Sequence, residues 1–146
     1  MAKIRTVETI RRSPADVFAY VTVPARWPEW HPSSLRVSGT ADRSLHVGES
    51  CVEEYVVAGR RGSCTWTVRE RTDNQRWVIE TVVRGQRATI SYALTPVAGG
   101  TRFERVLRYR MPNPFLALLD VLVLRRRVRS ESKEATRRLK ERLEKG

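Results

Sequence analysis

The sequence predicts an α+β fold in which one strand and two short helices precede a long antiparallel meander and a closing helix. Three observations carry this prediction. A strand-like segment, residues 4–10, leads into a helix-start signal at Ser13-Pro14-Ala15-Asp16. Short β-rich runs separated by turn residues fill residues 35–111. A helical segment then runs from residue 113 to the end.

The two short helices have local causes. Ser13 is a preferred N-cap, Pro14 suits the first helical position, and Asp16 stands where a capping box places its acidic partner. A second short helical turn is predicted at residues 24–30, where Pro28 prevents a long helix. Both helices therefore lie between the first strand and the meander.

Turn residues within the meander predict how its strands pair. Loops at residues 59–62, 72–75, 85–86 and 97–100 give a register for four hairpins. The predicted pairs are Tyr55 with Trp66, Val68 with Ile79, Ile79 with Tyr92, and Tyr92 with Arg105. One sheet face is then apolar and aromatic and the other charged and hydroxyl-bearing, so Thr67, Glu80, Ser91 and Glu104 are expected to be exposed.

The closing helix is expected to cover the apolar face. Its apolar residues step by three and four, with Ser132 filling a gap: Val121, Leu124, Val128, Ala135, Leu139 and Leu143. One straight helix over residues 114–145 would be about 48 Å long, whereas five to seven strands span only about 25–35 Å. A break or a loosely packed front end is therefore expected.

Length and composition limit the classes of protein to which this chain can belong. The chain has 146 residues, of which 40% are hydrophobic and 30% charged. This composition excludes collagen-like, disordered and disulfide-dense secreted chains. We expect one domain over residues 1–146. The longest apolar stretch, residues 114–124, is too short to span a bilayer, and no signal peptide is visible, so the predicted location is the cytoplasm.

The net charge of +12 raises the question of a nucleic acid or another anionic partner. The 28 basic residues comprise 24 arginines and 4 lysines. They are spread from Arg5 to Arg142, which indicates a compositional bias and does not favour nucleic-acid binding. The least neutralised run is Arg125-Arg126-Arg127-Val128-Arg129, with Glu131 alone close by, whereas later charges pair four apart as Glu134 with Arg138 and Glu141 with Lys145. A solvated helix face is the preferred interpretation of that run.

The common catalytic and metal-binding patterns do not occur. His31 and His46 have no cysteine or carboxylate partner at a metal-ligand spacing, and neither a phosphate loop nor a nucleophile elbow is present. No metal and no cofactor are predicted. Cys51 and Cys64 fall on neighbouring strands, opposite Glu70 and Val57 in the predicted register, so both thiols are expected to be free.

Several segments together resemble the SRPBCC superfamily, which includes polyketide cyclase/dehydratase-like proteins, START lipid-transfer domains, the birch pollen allergen and coenzyme Q-binding proteins. The resemblance covers essentially the whole chain. It rests on Ser13-Pro14-Ala15-Asp16-Val17-Phe18, Trp27-Pro28-Glu29-Trp30, Tyr92-Ala93-Leu94-Thr95-Pro96, Gly99-Gly100-Thr101-Arg102 and Arg137-Arg138-Leu139-Lys140. It implies the helix-grip fold, a curved antiparallel sheet wrapped around a long C-terminal helix, with a cavity between them that often holds an apolar molecule. These motifs are structural and do not fix an activity.

Polar residues on the predicted apolar face are the candidate polar end of such a cavity. Glu53, Thr81 and Arg105 point into this face, where a charge is costly unless paired or wetted. Arg105 contacting Glu53, or reaching out at the sheet rim, is the structural alternative. His31 is placed at the mouth, as an acid or base or as a surface histidine. The candidate cavity residues are Trp30, His31, Glu53, Tyr55, Trp66, Ile79, Thr81, Ile90, Tyr92, Phe103, Arg105, Leu107 and Tyr109.

Three functions remain open at this point. The first is binding of a small apolar or aromatic molecule, polyketide-, lipid- or quinone-like, in the cavity. The second is a cyclase or dehydratase, in which Arg105 and the tyrosines hold an enolate and Glu53 or His31 moves protons. The third is a ribosome- or RNA-associated interaction protein that uses the basic helix. A weak homodimer is also left open.

Overall fold

The computed structural model describes residues 2–57, 59–83, 85–110 and 125–145. The elements are β1 (Ala2–Ile10), α1 (Pro14–Val21), a 3-10 turn (Pro24–Arg26), α2 (Trp27–Trp30), β2 (Ser34–Gly39), β3 (Ser50–Val57), β4 (Arg60–Thr72), β5 (Arg76–Val83), β6 (Gln86–Val97), β7 (Gly100–Tyr109) and α3 (Arg125–Lys145). The seven strands form one antiparallel sheet in the order β1-β7-β6-β5-β4-β3-β2. The predicted fold class, α+β with a helix-grip arrangement, is confirmed.

Helix α1 begins where the sequence predicts. The Ser13 side chain accepts a hydrogen bond from the Asp16 backbone N–H at 3.2 Å, and Pro14 occupies the first helical turn. Such a cap stabilises a helix by about 1 kcal/mol. The buried side of α1 carries Val17, Phe18 and Val21, so the helix closes the core near β6 and β7.

The register of the β6–β7 hairpin agrees with the prediction, but that of β5–β6 does not. Tyr92 lies opposite Arg105 as expected. In β5–β6, however, Ile79 pairs with Ile90 rather than with Tyr92, a displacement of two residues. Gly85 has a φ of 76° and directly precedes β6. The glycine therefore ends this turn rather than beginning it, as a residue that tolerates positive φ can do.

The β3–β4 hairpin shows a larger displacement for the same reason. Gly59, with a φ of 78°, directly precedes β4, so Tyr55 pairs with Gly62 instead of Trp66, four residues away from the prediction. The cysteine environment changes accordingly. Cys51 lies opposite Trp66 and Cys64 lies opposite Glu53, and both thiols are free.

Strands β4 and β5 pair as predicted at one point and deviate near their turn. Val68 lies opposite Ile79, as expected. An irregularity between Val68 and Glu70 then shifts the pairing, so that Thr72 lies opposite Arg76. A bulge of this kind bends and twists the strand.

The face of the sheet that meets α3, called the inner face below, carries the residues that the sequence assigns to it. Displacements of two and four residues leave the side chains of the β5–β6 and β3–β4 hairpins on their predicted faces, because strand side chains alternate with a period of two. The inner-face residues singled out above are all buried or half-buried.

The expected exposure of four outer-face residues is wrong. Ser91 is 8% exposed, because it lies between Val78 and Val106 on the neighbouring strands. Thr67, Glu80 and Glu104 are half-buried. Arginines on adjacent positions pair with the two glutamates and cover them.

Helix α3 presents the predicted stripe to the sheet, with Ser132, Ala135, Thr136, Leu139 and Leu143 buried. It packs against β1 and α2. Arg138 pairs with Glu134 at 3.0 Å as predicted, but Glu141 contacts Arg137 rather than Lys145. The expected helix over residues 114–124, with its break, lies outside the described residues. No described helix is both long and apolar enough to cross a lipid bilayer.

Candidate functional site

Arg105 is buried at the middle of the inner face. Its side chain, on β7, has neighbours on both sides in Thr6 of β1 and Tyr92 of β6, and the residue is 4% exposed. Nη1 donates a hydrogen bond to Ser132 Oγ of α3 at 3.1 Å, and Nη2 lies 3.2 Å from His31 Nε2. Nε is buried and has no acceptor in the described part of the chain. Arg105 therefore does not reach the sheet rim. Its side-chain partners in the described part of the chain are neutral groups.

His31 directly follows α2 and is half-buried rather than a surface residue. Its Nδ1 accepts the backbone N–H of Ser33 at 3.1 Å, while Nε2 faces Arg105 Nη2. A neutral imidazole offers only one lone pair, because its other nitrogen carries a proton. Both neighbours are donors, so one of the two contacts sets donor against donor.

The ionisation of His31 follows from the same surroundings. Burial, and then the positive charges of Arg105 and Arg138, hold the pKa of His31 well below its ordinary value. Protonation would make both ring nitrogens donors and worsen both contacts. His31 is therefore neutral near pH 7, and it brings an excess of N–H groups to this region.

Trp30 adds a further N–H without an acceptor. It is 1% exposed, and its Nε1 has no hydrogen-bond partner among the described residues. Its ring centroid lies 6.0 Å from that of His31 and 6.3 Å from that of Tyr92. Burying an unpaired N–H costs about 1–3 kcal/mol. Trp30 Nε1 and Arg105 Nε are therefore two buried donors without an acceptor among the described residues.

Glu53 marks a second polar point of the inner face. Its Oε1 accepts the Trp66 Nε1–H at 3.0 Å. Burial raises the pKa of Glu53, while the hydrogen bond from Trp66 and the charge of Arg105 oppose that rise. Arg105 thus acts on Glu53 through space, and the predicted alternative of direct pairing is replaced by the contacts with Ser132 and His31.

Aromatic side chains pack against one another on the same face. The Tyr92 centroid lies 5.5 Å from that of Trp77, with the rings stacked, and 5.1 Å from that of Phe103. Burial raises the pKa of Tyr92, and the charge of Arg105 opposes that rise. The tyrosine hydroxyl is therefore a proton-bearing group at neutral pH.

Cys51 and Cys64 complete the inner face beside Glu53. Burial raises the pKa of both thiols to about 12. A thiol that stays protonated is a poor nucleophile. Within the described ranges, no three His, Cys, Asp or Glu side chains form a group able to hold a metal ion.

The structure places all thirteen predicted residues on or beside the inner face. Polar contacts join Arg105 with His31 and Glu53 with Trp66, and ring contacts join Trp30, Tyr92 and Phe103. The Tyr55 ring covers Gly62, where an added Cβ would lie 2.6 Å from the tyrosine oxygen. The other predicted residues are Ile79, Thr81, Ile90, Leu107 and Tyr109, all buried or half-buried.

Sequence reasoning missed two contacts. Ser132, interpreted as a gap in the helix stripe, is the α3 partner of Arg105. Ser33 donates its hydroxyl to Glu131 of α3 at 2.6 Å, which ties the segment after His31 to that helix. The position of Ser132, a polar residue in an apolar stripe, could have indicated that it has a polar partner. Nothing in the sequence indicated the Ser33 contact.

Two surface hollows are lined by described residues, and neither includes a predicted cavity residue. One, of about 650 Å³, is lined by His46, Val47, Arg71, Thr72 and Asp73. The other, of about 330 Å³, lies between Glu29 and charged residues of α3. The cavity between the inner face and α3 therefore stays a prediction.

Solved structures share this fold. TTHA0849 from Thermus thermophilus is 15% identical with a TM-score of 0.78, and the match covers 97% of each chain. Ara h 8.0201 is 11% identical with a TM-score of 0.67, and the match covers 99% of each chain. DynU16, a protein of the dynemicin biosynthetic locus, is 15% identical with a TM-score of 0.68, and the match covers 97% of this chain and 47% of that one. At these identities the likeness shows the fold alone.

No curated protein matches the sequence. A family model does match, and it covers residues 1–144 under the description "Polyketide cyclase / dehydrase and lipid transport". The match spans nearly the whole chain, and the predicted SRPBCC resemblance is confirmed. The chain belongs to the polyketide cyclase / dehydrase and lipid transport family.

Proposed function

We propose that this protein binds a small, largely apolar or aromatic molecule between the inner face and α3, with an acidic or enolic oxygen of that molecule held by Arg105. Polyketide-, lipid- and quinone-like compounds have this character. One observation carries the proposal: the side-chain partners of this buried guanidinium in the described part of the chain are all uncharged, namely Ser132, a neutral His31 and Tyr92.

Energetics favour a negatively charged ligand group. Burying a guanidinium without a counter-charge costs several kcal/mol, which a hydrophobic residue at the same place would avoid. An oxyanion at Arg105 would offset that cost, and the planar guanidinium suits a carboxylate or enolate oxygen. The rings of Tyr92, Phe103 and Trp77 would contact the apolar part of the ligand.

The hydrogen-bond arrangement around His31 favours the same ligand. An oxygen lying beside this pair, within hydrogen-bonding distance of both Arg105 Nη2 and His31 Nε2, would accept from both nitrogens. Nδ1 would keep its bond from the Ser33 N–H, and the ring proton would then sit on Nε2. The ligand oxygen would then replace the contact between two donors with two hydrogen bonds.

Two matched probes test the proposal. Anilinonaphthalene sulfonate and N-phenyl-1-naphthylamine share a ring system, and only the first carries an anion. Each is titrated into the natural protein, into Arg105→Met, and into Arg108→Met as a control on the outer face of the same strand. We expect Arg105→Met to weaken binding of the sulfonate about tenfold or more, or at least about 1.4 kcal/mol, and to leave the neutral probe unchanged.

Two outcomes of this titration would contradict the proposal. Unchanged affinity for the sulfonate, or an equal loss of affinity for both probes, would show that Arg105 does not bind the anionic group of the ligand. Native mass spectrometry of the purified protein complements the titration, because a co-purifying acidic compound would identify the ligand directly.

A cyclase or dehydratase activity is the second candidate, and Glu53 favours it. Burial raises the pKa of Glu53, so this carboxyl group keeps its proton to a higher pH than an ordinary glutamate, and Arg105 could hold an enolate on the same face. Turnover of a polyketide-type substrate that is lost in Glu53→Gln, with the fold retained, would establish it. Binding without turnover would leave the ligand-binding function.

A further inference from the structure

Unpaired positive charge collects at one end of the sheet. This end holds the start of β1, the β3–β4 turn, the end of β7 and the first residues of α3. Ala2 lies opposite Tyr109, and Arg125 Nη2 donates to the Lys3 carbonyl at 3.4 Å, which fixes α3 there. We call this the basic end and define it by Lys3, Arg60, Arg61, Arg108, Arg110, Arg125, Arg126, Arg127 and Arg129.

Arginines at the opposite end of the sheet are neutralised. There Arg11 pairs with Glu144 at 3.3 Å, Arg12 with Asp16 at 3.2 Å and Arg76 with Glu70 at 2.9 Å. Within the described residues, no member of the basic end makes an ion pair.

The two halves of α3 show the contrast within one element. Its second half has opposite charges four residues apart, with Arg138 on Glu134 at 3.0 Å and Lys140 on Glu144 at 2.6 Å. Its first half instead spaces Arg125 and Arg129 four apart. Like charges at this helical spacing repel each other.

The sheet repeats this repulsion at the same end. Lys3 lies directly opposite Arg108 across β1 and β7. Like charges opposite each other in a strand pair are destabilising. The chain therefore tolerates self-repulsion at the basic end, although it supplies carboxylates to arginines at the other end. An external anion would relieve that repulsion.

We infer that the basic end docks on the surface of an anionic lipid bilayer. The cations come from separate elements that surround one end of the fold, an arrangement that fits a flat charged surface. Large hydrophobic residues exposed in the described part of the chain are aliphatic, such as Val82 at 59% next to the β5–β6 turn. Single-stranded nucleic acids are bound on exposed aromatic rings, so a lipid surface fits this end better.

Vesicle co-sedimentation tests the inference on the full-length chain. The vesicles are phosphatidylcholine alone, or phosphatidylcholine with phosphatidylserine. The test variant is Arg61→Gln/Arg126→Gln/Arg127→Gln. The control variant, Arg11→Gln/Arg76→Gln/Lys145→Gln, also removes three positive charges from the formal net charge of +12, but at other places.

We expect binding to the anionic vesicles alone, weakening as salt is raised. The test variant should bind them about a hundredfold more weakly, because each basic residue near an anionic surface contributes about a fivefold factor. The control variant should bind within a few-fold of the natural protein. Circular dichroism and thermal unfolding verify the fold, and the single substitution Arg127→Glu provides a second, milder test.

Three results would overturn the inference. Equal loss in both triple variants would show attraction by net charge only. Equal binding to neutral vesicles would show that the arginines are not used. Binding to polyuridylate RNA without vesicle binding would make the partner a nucleic acid. The inference does not rest on the proposed ligand, and Arg105→Met should bind vesicles like the natural protein, so the two proposals fail separately.

Discussion

Arg105→Met should leave the free energy of unfolding unchanged or raise it by up to about 2 kcal/mol. The substitution removes the hydrogen bond to Ser132 and the contact with His31 Nε2. The hydrogen bond to Ser132 contributes about 1 kcal/mol. It also removes the desolvation cost of a buried guanidinium, which is several kcal/mol. Methionine keeps an unbranched stem among the aromatic rings and creates little empty volume, so the second effect offsets or exceeds the first.

Urea unfolding followed by tryptophan fluorescence measures this balance, because several tryptophans lie in the core. The slope against denaturant should not change, since the same surface is exposed on unfolding. A loss of about 3–5 kcal/mol would refute the reasoning. That magnitude is typical of breaking a buried ion pair, and it would make Arg105 the partner of a buried carboxylate.

Three further predictions concern the core, the buried carboxyl group and the thiols. Phe103 is fully buried. Its substitution by alanine should cost about 3–5 kcal/mol, whereas Ser91→Ala should change the free energy of unfolding only slightly; the reverse ranking would contradict the assignment of the two sheet faces. The folded pKa of Glu53 is raised above 4.5, its ordinary value. The folded protein therefore becomes less stable as the pH rises and Glu53 loses its proton. Glu53→Gln should raise the free energy of unfolding at pH 7 and have little effect at pH 4. A difference in this free energy that does not vary with pH would refute the prediction. Thiol titration after denaturation without reductant should find both Cys51 and Cys64 free. Finding no free thiol would contradict this prediction.

The inner face of the sheet was predictable from the sequence even where the register was not. The β5–β6 and β3–β4 pairings are displaced by two and four residues, yet Glu53, Tyr92 and Arg105 lie on the expected face. Side-chain alternation needs only the strand's own sequence. The register needs the conformation of each turn. Gly59 and Gly85 adopt positive φ just before the next strand, which differs from the turns that the predicted register requires.

The composition of the polar cluster depended on tertiary packing. Arg105 was identified from its strand alone, because an arginine in an alternating apolar pattern is conspicuous. Its contacts with His31, 74 residues away, and Ser132, 27 residues away, join three separate elements. No local pattern predicts which of several polar residues meet across such distances, and the strands alone offered Glu53 as one alternative partner of Arg105.

The sequence by itself determined the element types, the start of α1, the two faces of the sheet and the buried stripe of α3. Each of these follows from local periodicity or from a capping residue, so neighbours along the chain suffice. The tertiary structure decided which donors lack acceptors around Arg105 and which cations lack carboxylates at the basic end. Both properties depend on what other elements bring within a few ångströms, and hydrogen bonds and ion pairs form only over that distance.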